Sequence, residues 1–317
     1  MNEIIELINS AEDIIILAHD SEDADAVGSS YAMKSVLLGM GKKAECIFSD
    51  IPERHLDFMG KSYILPDEAS LHQADLCICL DCGDLSRIGK RKPFFESARH
   101  TVCIDHHETN VGFGDAWYVD AQSPATGEIL YELFIKMGVE ITKEIAENLY
   151  AAISSDTGSF KYSNVRPRTM LITAELLKCG IDHARIARFL YDSEPIGVMK
   201  FKGYIMNTIE QYCGGKLNVV CASQDILDKY GIEEKDTGDI VNIARAVTGC
   251  EIAVSVRETP EKIKISLRSN GKHSVSDIAA KFGGGGHAMA AGAAQKGKTL
   301  KEVKDEVIRV CEEIING

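Results

Sequence analysis

The chain has 317 residues, 45% of them hydrophobic, and a formal net charge of -13. That acidity argues against a broad grip on long duplex nucleic acid, which needs a basic face. No apolar stretch approaches the roughly 20 residues of a membrane-crossing helix, and ten cysteines without a paired zinc spacing or disulfide framework point to a reducing cytoplasm.

The opening "MNEIIELINSAEDII" is acidic and amphipathic, without the basic start and apolar centre of a signal peptide. "DIIILAH" then reads as a buried strand and "GSSYAMKSVLLGMGK" as the helix after it, ending near Gly39 and Gly41. "KAECIFS", "ADLCICLD" and "HTVCIDHH" read as further strands, "ATGEILYELFIKMG" and "TKEIAENLYAAISSDTG" as helices. This alternation predicts an α/β domain with a mainly parallel sheet flanked by helices. Helical spacing continues through "RPRTMLITAELLKCG", "DHARIARFLYDS" and "IGVMKFKGYIMNTIEQY". Strand patterns restart with "KLNVVCAS", "EIAVSVRE" and "KIKISLRSN", then a short helix "SVSDIAAKF", the run "GGGGHAMAAGA" and a closing helix "TLKEVKDEVIRVCEEII". The expected division is a first domain over 1–186, a helical linker over 187–205 and a smaller α/β domain over 206–317, with a cleft between the two domains.

Acids and histidines collect at the ends of the first-half strands. His19 closes the first, with Asp23 and Asp25 just beyond it. Asp81 closes "ADLCICLD"; Asp105, His106 and His107 close "HTVCIDHH"; Asp156 follows "YAAISS". In an open parallel sheet the carboxyl ends of the strands share one edge, where ligands bind. Mixed carboxylate and imidazole donors suit manganese, iron, cobalt or zinc better than calcium. The donors exceed one coordination sphere, which fits two cations bridged by a carboxylate. Singly, Asp81 or Asp156 would more often be a turn or helix cap, so the reading rests on their conjunction. Asp20 and Glu22 read as solvated loop acids. Cys79 and Cys82 have CxxC spacing but no second pair, so they read as buried small hydrophobes. "KRKPFF" (90–95) reads as a basic surface run, and His55, His72, His100, His183 and His273 as structural or surface residues.

"HDSEDADAVGSS", "CLDCGD", "CIDHHETN" and "SSDTGSFKYSN", in that order, resemble the four motifs of the DHH phosphoesterase family. "KISLRSN" and "FGGGGHAMAAGA" resemble its DHH-associated C-terminal domain. The likeness is greatest to the stand-alone nano-RNases, which also dephosphorylate 3′-phosphoadenosine 5′-phosphate. This resemblance implies one metal on His19, Asp23 and Asp81 and a second on Asp25, Asp81, His106 and Asp156, with Asp81 bridging. The implied cofactor is a pair of Mn2+ ions, with Mg2+ or Co2+ as substitutes. His107 would face the substrate and Asp105 would orient an imidazole. The family usually carries proline where this chain has Glu22, a departure that removes backbone restraint from the metal loop and adds charge to it.

In the second half, Gly283, Gly284, Gly285 and Gly286 let a ligand approach the backbone closely, and successive exposed N–H groups can cradle a phosphate. The competing role is a tight turn before an Ala-rich segment. His287 could add a donor, and Arg268 a bidentate phosphate contact, although an exposed strand arginine is as common. The resemblance favours substrate binding for all six. The expected activity is hydrolysis of short oligoribonucleotides, releasing mononucleotides, and of 3′-phosphoadenosine 5′-phosphate, by a homodimer. The alternatives are a phosphodiesterase for cyclic di-AMP or its linear product, then a pyrophosphatase-like enzyme or a non-catalytic nucleotide-binding regulator.

Overall fold

A computed structural model of the chain describes residues 1–238 and 240–317. It separates into two compact units, Met1–Ser193 and Glu194–Gly317. No helix among the described residues is long and apolar enough to cross a membrane.

The first unit is built on six strands: β1 (Asp13–Leu17), β2 (Lys43–Ile47), β3 (Tyr63–Ile64), β4 (Leu76–Leu80), β5 (His100–Asp105) and β6 (Ala116–Val119). Their order is β3-β2-β1-β4-β5-β6 and every pairing is parallel. The continuous apolar runs follow from burial on both faces. Ile14, Ile16, Leu76, Ile78 and Ile104 join the core beneath the helices Ala24–Gly39, Thr126–Lys136 and Lys143–Asp156. Ile15, Leu17, Cys77 and Cys79 pack on the other side with Cys82, Ile88 and Phe95. The short strands β3 and β6 carry too few residues for a periodic signal, and the sequence pattern passes over them.

The strand order reverses between β1 and β4, the position at which open parallel sheets leave a crevice beyond their carboxyl ends. Two glycines bring helices to that place. A Cβ on Gly28 would lie 2.5 Å from the Asn148 carbonyl, and one on Gly127 2.7 Å from the Ala152 methyl. These close approaches draw the helices Ala24–Gly39 and Thr126–Lys136 onto Lys143–Asp156.

The second unit has strands β7 (Glu210–Tyr212), β8 (Leu217–Ala222), β9 (Ile252–Glu258), β10 (Ile263–Ser269), β11 (Gly285–Gly286) and β12 (Ala290–Gln295), in the order β11-β12-β10-β9-β8-β7. All pairs are antiparallel except β8 with β9. Alternation places Ile252, Val254, Val256, Ile263, Ile265 and Leu267 in one core with the closing helix Leu300–Asn316.

Candidate metal centre

His19 lies two residues beyond β1, and Asp81 directly follows β4. Asp81 is 2% exposed and adopts the left-handed region at φ +53°, a strained conformation for a residue with a side chain. Asp105 ends β5, and His106 and His107 follow it. Asp23 caps the helix Ala24–Gly39: its Oδ1 accepts from the backbone N–H groups of Asp25 and Ala26 at 3.0 and 3.1 Å. Asp25 sits in the first turn of that helix. Asp156 differs from the strand-end pattern; it is the last residue of the helix Lys143–Asp156. It reaches the edge because that helix packs against Ala24–Gly39 through Gly28.

The donor atoms converge without bonding one another. His19 Nε2 lies 3.6 Å from both Asp23 Oδ2 and Asp81 Oδ2. His106 Nε2 lies 3.8 Å from Asp25 Oδ2, 3.4 Å from Asp81 Oδ1 and 3.3 Å from Asp156 Oδ2. Most of these separations are too long for good hydrogen bonds. They suit atoms that share a cation instead: ligands about 2.0–2.2 Å from one metal lie roughly 3.0–3.5 Å apart. Three groups, His19 with Asp23 and Asp81, Asp25 with His106 and Asp156, and Asp81 with His106 and His107, each offer ligand atoms within 4.8 Å of one another. The two oxygens of Asp81 face the two imidazoles, one each.

Neighbouring groups fix the orientation of each donor. A carbonyl can only accept, so Nδ1 of His19 donates to the Asp20 carbonyl at 2.9 Å and Nδ1 of His106 to that of Ser123 at 3.3 Å. Both imidazoles thus present a bare Nε2 to a cation. His107 Nδ1 is 2.8 Å from Asp105 Oδ1, while Asn110 Nδ2 donates to Asp105 Oδ2 at 2.7 Å. The fully buried Asp25 accepts from Thr126 N, Gly127 N and Ser29 Oγ at 2.7, 3.0 and 3.0 Å. Thr126 Oγ1 also donates to Asp81 Oδ1 at 3.1 Å. Sequence reasoning missed Ser29, Thr126, Gly127 and Asn110 as holders of the acids; their only signals were the small polar residues opening a predicted helix and the asparagine closing "DHHETN".

The electrostatics show what a metal-free site would do. Burial, then the Asp81 carboxylate, pushes Asp25 up to about 7, and Asp156 is raised by burial and by Asp25, Asp23 and Asp81. Burial opposes charge on His19 and His106, but the surrounding carboxylates prevail and raise them to about 11 and about 10. Asp81 is also opposed by burial, yet the two imidazoles hold it below the usual carboxylate range. His107 is raised chiefly by its bond to Asp105. Without cations, protons must occupy this cluster.

Residues 13–153 match the model of the DHH family N-terminal domain, and residues 214–317 match the DHHA1 domain. The bifunctional oligoribonuclease and PAP phosphatase NrnA of Thermus thermophilus is 33% identical, over 99% of this chain and 94% of its own. The chain belongs to the DHH family. The protein of the same name from Bacillus subtilis is 27% identical over 92% of each chain. The crystal structure of an exopolyphosphatase-related protein from Bacteroides fragilis superposes with a TM-score of 0.93 at 27% identity, covering 100% of this chain and 97% of that one.

The DHHA1 domain places its predicted residues differently from a free cradle of N–H groups. The N–H groups of Gly283, Gly284 and His287 donate to the carbonyls of Ala280, Ala279 and Ala290 at 3.0, 2.9 and 2.8 Å. Gly285 and Gly286 form β11 and pair with Gly292 and Ala291. Glycine is needed here for fit: a Cβ on Gly284 or Gly286 would enter the backbone of β12. The His287 side chain is exposed. Arg268 is half-buried on β10, paired across to Ala253 and Ala290, and its Nη1 donates to the Leu267 carbonyl at 3.1 Å. Arg257, unremarked in the sequence, occupies the same sheet face, buried, with Nη2 3.5 Å from Ser266 Oγ.

Two sequence expectations are overturned. Glu22 is not solvated: it is 5% exposed and its carboxylate lies 2.6 Å from Arg91 Nη1. "KRKPFF" is not a uniform surface run, because Arg91 is fully buried between exposed Lys90 and Lys92. Asp20 stays half-exposed but also pairs with Arg91, at 2.8 Å. The four cysteines Cys77, Cys79, Cys82 and Cys103 are buried and free.

Proposed function

We propose that this chain is a divalent-cation-dependent phosphoesterase that hydrolyses short oligoribonucleotides from one end and also 3′-phosphoadenosine 5′-phosphate. The observation that carries the reading is the convergence of six imidazole and carboxylate donors at the switch point of a parallel sheet, in a chain whose relatives from Thermus thermophilus and Bacillus subtilis are named oligoribonuclease and PAP phosphatase. His19, Asp23 and Asp81 would hold one manganese ion, and Asp25, Asp81, His106 and Asp156 a second. Bound there, such cations supply Lewis acidity toward a phosphoryl oxygen and lower the pKa of a water.

The remaining chemistry belongs to the chain. Asp25 and Asp81 are held by N–H and O–H donors, so the ligand geometry exists before the cations arrive. His107 is 38% exposed at its side chain, while its Nδ1 is bound to buried Asp105. That leaves Nε2 to meet a phosphate oxygen or to give a proton to the leaving group. Arg268 and His287 bind the terminal phosphate or nucleotide and set substrate length. The protein acts in the cytoplasm, as a homodimer.

The test is a substrate panel with Mn2+: di- to pentaribonucleotides, linear and cyclic di-adenylate, 3′-phosphoadenosine 5′-phosphate and pyrophosphate. Turnover of the short oligoribonucleotides and the bisphosphate is expected. Cleavage of pyrophosphate alone refutes the reading, preference for cyclic di-adenylate moves it to that class of phosphodiesterase, and nucleotide binding without turnover points to a regulator.

A further inference from the structure

The segment between the ligands His19 and Asp23 is three residues long, and each is tied to one buried cation or its neighbours. Arg91 is 0% exposed. Its Nη1 donates to Glu22 Oε1 at 2.6 Å and to the Ile47 carbonyl at 3.0 Å. Nη2 donates to Asp20 Oδ1 at 2.8 Å, and Nε to the Ile88 carbonyl at 3.2 Å. Ser49, just past β2, completes the clasp: its N–H and hydroxyl donate to Glu22 Oε1 and Oε2 at 2.8 and 3.1 Å, and its Oγ accepts from Ser21 N at 3.3 Å. The Asp20 N–H donates to the Arg87 carbonyl at 2.6 Å. Gly89, at φ +54°, leaves room for the Asp20 carboxylate, which any Cβ there would strike. Ser21 is held at φ +61°, a conformation that persists only when its surroundings over-determine it.

A fully buried guanidinium facing two carboxylates costs desolvation and is weak support for fold stability in itself. Its partners, however, are the two loop acids whose carboxylates stand outside the candidate ligand groups, and the Asp20 carbonyl accepts from His19 Nδ1 at 2.9 Å. We propose that Arg91 is a positioning residue for that cluster. Through Glu22 and Asp20 it fixes the loop so that His19 and Asp23 arrive with the separation a cation needs, and it neutralises the two acids that would otherwise draw cations away from them. The inference rests on the metal-binding reading above and adds the residue that preorganises it.

The experiment is calorimetric titration of Mn2+ into the full chain without substrate, beside thermal unfolding. Arg91→Met is expected to weaken Mn2+ binding about tenfold or more, the range seen when outer partners of ligands are removed, and Arg91→Lys by less, because an ammonium keeps the charge although it cannot fork between two carboxylates. Leu176→Ala, a buried change on the helix Pro167–Lys178, is the control; it should lower Tm and leave Mn2+ affinity unaltered. Equal Mn2+ affinity in wild type and Arg91→Met overturns the inference, as does an affinity loss in Leu176→Ala as large as that in Arg91→Met. Should Arg91→Met fail to fold, Glu22→Gln decides: a several-fold loss supports the proposal and wild-type affinity overturns it. A wild-type chain that binds no divalent cation refutes the metal reading itself, a result distinct from either.

Discussion

The carboxyl edge of the first sheet and the glycine hairpin of the second unit solve opposite problems. At the edge, backbone and side-chain donors hold carboxylates at spacings that leave them unbonded to each other, so the site is unsatisfied without a cation. In the hairpin, the N–H groups of Gly283, Gly284 and His287 are taken up by neighbouring carbonyls, and Gly284 and Gly286 serve close strand contact. On the proposed function, recognition in the second unit would fall to side chains such as Arg268 and His287, whereas the first unit uses main chain and side chain together to hold its acids. Glycine is indispensable in both, for a shared reason: Gly127 and Gly284 each stand where a methyl group would collide.

The largest expected effect breaks the first half of that contrast. Asp81→Ala removes the one carboxylate facing both imidazoles, and hydrolysis should fall by about a thousandfold or more, several kcal/mol of transition-state stabilisation; near-wild-type turnover in manganese would sink the shared-ligand arrangement. Next, Arg268→Ala should raise KM for phosphorylated substrates roughly ten- to a hundredfold, the loss of a charged hydrogen bond, with kcat changed much less. His287→Ala should do the same more weakly. If instead kcat collapses and KM holds, Arg268 belongs to the chemistry and the division between the units fails.

A pH titration sharpens the contrast further. Asp25 is raised to about 7 and must lose its proton to bind a cation, while His19 and His106 are raised to about 11 and about 10 and must also be neutral. Mn2+ affinity should therefore climb as pH rises through 7, and binding at neutral pH should release protons, measurable by calorimetry in buffers of different ionisation enthalpy. In the metal-free chain the imidazole contribution to stability runs the other way. It is fully present below the unfolded histidine value near 6.5 and lost as pH rises through about 10 to 11. Affinity that is flat from pH 6 to 8 would contradict the proton competition.

The smallest effect is steric. Gly28→Ala should destabilise the first unit by about 1–3 kcal/mol in denaturant titration, the usual cost of overpacking, and weaken Mn2+ binding because Asp25 and Asp156 are carried by the two helices it separates. Gly284→Ala should cost a comparable amount by local strain at β12 yet leave Mn2+ affinity untouched.

Residue type and period alone were enough for the long elements: the parallel strands β1, β4 and β5 and the helices Thr126–Lys136, Lys143–Asp156 and Leu300–Asn316; they also drew attention to the acids and histidines after those elements, while the choice of His19, Asp23, Asp25, Asp81, His106 and Asp156 as ligands came from the family resemblance. Two-sided burial leaves an unbroken apolar run, and one-sided helix packing leaves a 3.6-residue stripe; both are local signals. The convergence of those acids depends on the order β3-β2-β1-β4-β5-β6 and on helices touching at Gly28 and Gly127, contacts between residues far apart in the chain. The same holds for Glu22 and Arg91. Read locally, each is a surface charge, because only the fold reveals that two residues 69 positions apart close into a buried pair. The glycine run shows the limit from the other side, since whether an N–H is free to hold a phosphate depends on which carbonyl the tertiary structure brings opposite it.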